Sequence, residues 1–149
     1  MEDPLAEDDG TGLAEFTARF GGQLQIIGDD CLVTNAGLIG QLAAAAACNA
    51  ALIKVNQAGT VSEAVAAFRA AKAAGWGSVV SARSGESEDV SISHLAVGLG
   101  AGQLKVGSFA RSERLAKWNE CLRIAEGLPG AFVGGAPLAA TWWGKGTGR

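Results

Sequence analysis

Short apolar runs alternate with longer helical patterns along this chain, and the pair recurs roughly every 25 residues. The apolar runs are LQII at 24–27, ALIKV at 51–55, GSVVS at 77–81 and QLKV at 103–106. Strands that are apolar throughout and separated by helices are typical of a parallel sheet covered by helices. The pattern therefore predicts an α/β fold. It leaves open whether this is an open doubly wound sheet or part of a (β/α)8 barrel.

Helices are predicted at about 36–49, 62–74, 89–99 and 111–127. Asn35 and Thr60 are suited to be N-caps, and Gly75 and Gly127 mark helix ends. The pattern is clearest in the last helix, where we expect an apolar face made of Leu115, Trp118, Leu122 and Ile124. The spacing of Glu113 and Lys117 in the same helix permits an ion pair on its surface.

Length and composition limit the class of protein. The 149 residues fit one domain, and a hydrophobic content of 48% is enough for a core. A net charge of −3 without a Lys/Arg run argues against a nucleic-acid partner. Cys31, Cys48 and Cys121 lack the spacing of a zinc site or disulfide framework, which favours a reducing compartment. No apolar stretch is as long as a membrane span, and the acidic MEDPLAEDDG is unlike a signal peptide. We therefore expect a cytoplasmic protein.

Polar residues follow the predicted strands. Asp29 and Asp30 end the first strand, Lys54 and Lys105 end the second and fourth, and the loop 81–84 follows the third. The carboxyl ends of parallel strands are where barrel active sites gather. A lysine in an apolar strand is costly to bury unless it is paired or used in chemistry, although half-exposure on an edge strand explains a single case equally well. Two such lysines favour a site.

Five strings in this chain resemble motifs of the enolase family, in the family order and with nearly the family spacing. They are EDPLAEDD at 2–9, GDDCLVTN at 28–35, LIKVNQAGTVSEA at 52–64, SARSGESED at 81–89 and GQLKVGSFARSERLAKWNECLRI at 102–124. The resemblance implies that residues 1–126 are about the C-terminal half of the enolase (β/α)8 barrel domain. Residues 127–149 then form a Gly-rich tail that carries Trp142 and Trp143.

The resemblance also implies a reaction, the reversible dehydration of 2-phosphoglycerate to phosphoenolpyruvate in glycolysis, with Mg²⁺ as cofactor. Lys54 would be the general base that removes the C2 proton, and Asp30 would orient it. Glu2 and Asp29 would be two carboxylate ligands of the Mg²⁺ ion, which prefers such hard oxygen ligands. A Lys base with Mg²⁺ on the ene-diolate is the general chemistry of this superfamily.

Substrate binding is assigned by the same resemblance. Arg83 and Ser84 would hold the phosphate, and Lys105 would pair with the substrate carboxylate. Ala82 differs from the family, which has a substrate-contacting histidine at this position. His94, in the apolar segment SISHLAVG, is expected to be an ordinary surface or core residue rather than its replacement.

Met1 falls inside a family motif, and the earlier barrel strands and the third metal carboxylate have no counterpart. We therefore expect the isolated chain to be weak or inactive, and a truncated gene fragment is the favoured origin. Half a barrel leaves strand edges uncovered, which predicts self-association or a partner that completes the barrel. Two alternatives remain open: a non-catalytic enolase-like binding or scaffold module, and an enzyme assembled from two chains.

Overall fold

The computed structural model describes residues 1–139, so the part of the predicted tail that carries Trp142 and Trp143 lies outside the described residues. Within this range the chain forms one parallel four-stranded sheet in the order β1-β2-β3-β4. The strands are β1 Ile27–Gly28, β2 Ala50–Ile53, β3 Gly77–Ser81 and β4 Leu104–Lys105. Glu2 adds an isolated parallel bridge to Ile27 at the outer edge of β1.

The spatial order of the strands equals their sequence order. A doubly wound sheet reverses its order at a switch point, whereas consecutive barrel strands lie side by side in sequence order. The observed order therefore favours an arc of a (β/α)8 barrel. The predicted strand at 77–81 is confirmed as β3, whereas the other three predicted strands are shorter or shifted. The first, expected at 24–27, is Ile27–Gly28.

Six helices occur among the described residues: α1 Gly10–Phe20, α2 Ala36–Ala44, α3 Val55–Ala58, α4 Val61–Ala73, α5 Ser91–Gly98 and α6 Ser112–Gly127, followed by a 3-10 turn at Ala136–Leu138. The sequence pattern did not predict α1, because its first turn contains two glycines. The Asp9 carboxylate caps it by accepting from the backbone N–H of Gly12 at 2.8 Å. The predicted caps Asn35 and Thr60 are confirmed, since each side chain accepts from backbone N–H groups of the helix it precedes. No helix in residues 1–139 has the length and apolarity needed to cross a membrane.

Small residues let the helices pack closely on the sheet. Ala64, Ala67 and Ala71 occupy one face of α4 and are buried in the same core cluster as Ala51 of β2. Close packing fixes the position of each strand end, and the strand ends carry the polar residues.

The predicted apolar face of α6 is wrong at two positions. Leu122 is 65% exposed and Leu115 is also exposed, whereas Arg114 and Lys117 are buried. The surface pair of Glu113 with Lys117 is likewise wrong, because Lys117 pairs with Glu86. Both differences have one cause: α6 turns its basic residues toward the polar loop between β3 and α5, which supplies their hydrogen-bond acceptors.

Candidate active site

A polar cavity of about 450 Å³ lies at the carboxyl ends of the four strands. All seven residues that the sequence predicted for the site line it: Glu2, Asp29, Asp30, Lys54, Arg83, Ser84 and Lys105. Ala82 lies in the same wall. These residues come together because parallel strands present their carboxyl ends at one edge of the sheet.

Lys54 lies immediately after β2 and is 9% exposed. Its ammonium donates to Oδ2 of Asp29, which is 6% exposed, so the two form a buried ion pair. The Lys54 backbone N–H donates to Oγ1 of Thr34 at 3.0 Å, which holds the lysine against the loop after β1. Asp30, the predicted orienting residue, is exposed, and it is Asp29 that contacts the ammonium.

Asp29 has one further property. Its Oδ1 atom is buried and has no hydrogen-bond partner among residues 1–139. The Asp3 carboxylate orients the Asp29–Asp30 turn by accepting from the Asp29 N–H at 2.9 Å and the Asp30 N–H at 3.1 Å. One carboxylate oxygen from each of Asp3, Asp29 and Asp30 lies within 4.8 Å of the others. A buried, unpartnered carboxylate oxygen is costly, and a hard cation would satisfy it.

Glu2, the second predicted metal ligand, is more exposed than Asp29 and pairs with a different lysine. Both of its carboxylate oxygens accept from the Lys105 ammonium, at 2.7 and 2.6 Å. The pair joins the first residues of the chain to the end of β4, and its side chains are partly exposed. Lys105 therefore neutralises Glu2 across the mouth of the cavity, while Lys54 neutralises Asp29 at its base.

The loop after β3 carries the predicted phosphate-binding residues. The Ala82 N–H donates to the Lys105 carbonyl at 2.9 Å, which continues the pairing of β3 with β4. The Arg83 N–H donates to Oε1 of Glu86 at 2.8 Å. Burial raises the pKa of Glu86, but this N–H and the Lys117 ammonium outweigh burial, so the pKa lies below its usual value.

Sequence reasoning missed two arginines of the cavity wall. Arg114 is buried and donates to the carbonyls of Val106 at 3.0 Å and Ser84 at 2.8 Å. Arg111 has an exposed guanidinium and a φ of 69°, in the left-handed region that non-glycine residues seldom adopt. The motif RSER held the signal, since it places two arginines within one helical turn beside a strand end. His94 lies outside the cavity wall, with an exposed ring whose Nε2 is 3.0 Å from Oε1 of Glu120.

Comparison with known proteins gives a consistent result. Residues 1–136 match the family described as "Enolase, C-terminal TIM barrel domain". The chain is 52% identical over 128 residues to an enolase of Solanum lycopersicum, and 51% identical over 130 residues to an enolase of Eimeria tenella. These alignments cover 86% and 87% of this chain and 29% of each relative. The chain thus spans less than a third of the length of these relatives. The predicted fold, a partial (β/α)8 barrel, is confirmed.

Proposed function

Because the chain belongs to the enolase family, we propose that its cavity binds 2-phosphoglycerate and phosphoenolpyruvate and contributes to their reversible interconversion. One observation carries the proposal: seven residues from five separate segments line a single cavity around a buried Lys54–Asp29 pair. Five basic and three acidic side chains line this wall, which suits a substrate that carries both a phosphate and a carboxylate.

Lys54 is the proposed general base. Proton abstraction from the carbon beside a carboxylate requires a base held within reach of that carbon, and a lysine amine can fill this role. Asp29 holds the Nζ atom in place from the base of the cavity. Asp30, in the adjacent wall, remains the proposed orienting residue once substrate or metal engages Asp29.

The residues present also fit a divalent metal ion. Asp29 offers a buried Oδ1 without a partner, and Glu2 offers a second carboxylate at the rim. We propose Mg²⁺ as the ion, held by Glu2 and Asp29, because both supply hard oxygen ligands. Such an ion would supply positive charge beside the substrate carboxylate, where negative charge builds up during proton abstraction. Lys105 would leave its ion pair with Glu2 and pair with the substrate carboxylate instead. Arg83 and Ser84 would bind the phosphate.

The test is calorimetric titration of the purified chain with phosphoenolpyruvate, with and without Mg²⁺, next to a turnover assay with 2-phosphoglycerate. We expect Mg²⁺-dependent binding, weakened at least tenfold in Lys105→Met, because that variant loses the proposed charged contact to the carboxylate. Lys72→Met is the matched control, since this exposed lysine lies on α4 and outside the cavity wall. Binding that Mg²⁺ and Lys105→Met leave unchanged would refute the proposed site.

A non-catalytic binding module is the second candidate, and Ala82 favours it, because no imidazole is available at that point of the wall. The turnover assay separates the two functions. Slow turnover that Lys54→Ala abolishes supports the lyase, whereas tight binding without turnover supports the module.

We further propose that the chain acts in the cytoplasm and associates with itself or with a partner chain. Cys31, Cys48 and Cys121 are all unpaired, as expected in a reducing compartment. Within the described residues the sheet has open edges beside β4 and beyond residues 1–3, which bridge to β1, and Leu122 and Phe132 expose apolar surface. Light scattering of the purified chain tests the association; a monomer at all concentrations would contradict self-association.

A further inference from the structure

The loop that carries Arg83 and Ser84 has little contact of its own with the core. Ser84, Gly85 and Ser87 are exposed, and Arg83 is only partly buried. Glu86 is the exception, with a side chain that is 11% exposed. It points back into the protein, where Oε1 accepts from the Arg83 N–H at 2.8 Å. Glu86 therefore fixes the backbone of the residue proposed to bind phosphate.

The partner of Glu86 is Lys117 of α6, whose side chain is fully buried. The Lys117 Nζ atom lies 2.9 Å from Oε2 of Glu86 and donates to the Ser87 carbonyl at 2.6 Å. A buried ammonium is costly to keep, and a hydrophobic residue of similar volume would stabilise a helix-to-core contact at least as well. Stability alone therefore gives no reason for a lysine here, whereas holding an exposed loop does.

Arg114 supports the same loop one helical turn earlier. Its guanidinium donates to the Ser84 carbonyl at 2.8 Å and to the Val106 carbonyl at 3.0 Å. The two basic residues thus contact both sides of the turn. Lys117 differs from Arg114 because it pairs with Glu86, whose carboxylate also accepts from the Arg83 N–H.

We infer that Lys117 and Glu86 are a positioning pair that holds the Arg83–Ser84 loop in the geometry needed to bind a phosphate. The inference rests on the function proposed above. Neither residue lines the cavity, so the pair acts through Arg83 and Ser84 rather than by touching the substrate. At metal sites, removing a residue that orients a ligand costs about 10- to 100-fold in affinity, and we expect a loss at the lower end of that range here.

The decisive variant is the double substitution Glu86→Leu/Lys117→Met. It removes both charges together, so no unpaired ion remains buried and the chain is expected to fold with little loss of stability. Arg83 nevertheless loses its acceptor. The single variant Lys117→Met and the control Arg123→Met accompany it; Arg123 pairs with Glu120 on the same helix, away from the loop.

Two measurements are made on the full chain. Amide hydrogen exchange by NMR compares Arg83 with Val80, whose N–H donates to the Gln103 carbonyl within the sheet. Calorimetry gives the dissociation constant for phosphoenolpyruvate in the presence of Mg²⁺. For the double variant we expect exchange at least tenfold faster at Arg83, unchanged exchange at Val80 and about tenfold weaker binding. Arg123→Met should change none of these.

The outcomes are distinguishable. A folded double variant that keeps wild-type exchange at Arg83 and wild-type affinity would overturn the inference. Faster exchange at Val80 as well as Arg83 would also overturn it, because the pair would then act on the whole fold. Wild-type protein that binds no phosphoenolpyruvate would instead refute the proposed function, while exchange at Arg83 still decides whether the pair holds the loop.

Discussion

Removing one partner of the buried Lys54–Asp29 pair should lower the free energy of unfolding, because the other partner stays buried without its counter-charge. Lys54→Met keeps most of the apolar stem and removes the ammonium. Oδ1 of Asp29 already lacks a partner, so the variant leaves both oxygens of a buried carboxylate without a hydrogen-bond donor from a described side chain. Breaking a buried pair from one side costs about 3–5 kcal/mol of unfolding free energy. For a chain of this length that corresponds to about 10 °C in Tm.

The matched control is Lys105→Met. Lys105 also pairs with a carboxylate at a strand end, but its side chain is 45% exposed, so water screens the interaction with Glu2. Exposed pairs contribute about 0–1 kcal/mol, and we expect a loss within that range. The difference between the two variants isolates burial as the cause, because the chemical change is the same.

The assay is urea unfolding followed by circular dichroism at pH 7 without added metal. Asp29→Asn and the double variant Lys54→Met/Asp29→Asn complete a cycle. We expect the double variant to lose less than the sum of the single losses by at least about 2 kcal/mol, since no lone charge stays buried. Single losses that add, or a Lys54→Met loss no larger than that of Lys105→Met, would refute the claim that the pair is buried and coupled.

Three further predictions concern separate features. Ala82→His should lower the dissociation constant for phosphoenolpyruvate about tenfold by adding a charged hydrogen bond, whereas Ala82→Leu, which adds bulk without a donor, should not. The folded pKa of Glu86 lies below its ordinary value of 4.5, so the stabilisation that its carboxylate gives the loop is fully present above pH 4.5 and is lost as the pH falls through the lowered pKa. Protection of the Arg83 amide, corrected for intrinsic exchange, should therefore stay constant from pH 7 to 5 and drop only below 4.5. Asn49→Ala should lower the free energy of unfolding in urea by about 2–3 kcal/mol, because the side chain accepts from the Ile26 N–H at 2.7 Å and donates to the Gly21 and Leu24 carbonyls. Asn119→Ala is the control: this residue is exposed, and its substitution should cost under about 0.5 kcal/mol.

The sequence alone determined the class of fold and seven of the residues that line the candidate site. Short apolar runs separated by helical patterns indicate a parallel sheet covered by helices, because strands covered on both faces are apolar throughout. Polar residues such as Asp29, Lys54 and Lys105 interrupt that pattern at strand ends, so their shared location follows from topology. Local signals also placed the caps at Asn35 and Thr60, since capping depends on neighbours in the chain.

Tertiary structure decided which partners these residues take. Asp29 rather than Asp30 contacts Lys54, because the turn held by Asp3 directs one carboxylate inward and leaves the next exposed. The same is true of Lys117: its helical spacing indicated a surface residue, yet it lies fully buried against Glu86. A charged residue enters the core only where acceptors distant in sequence meet it, and local periodicity contains no information on those acceptors.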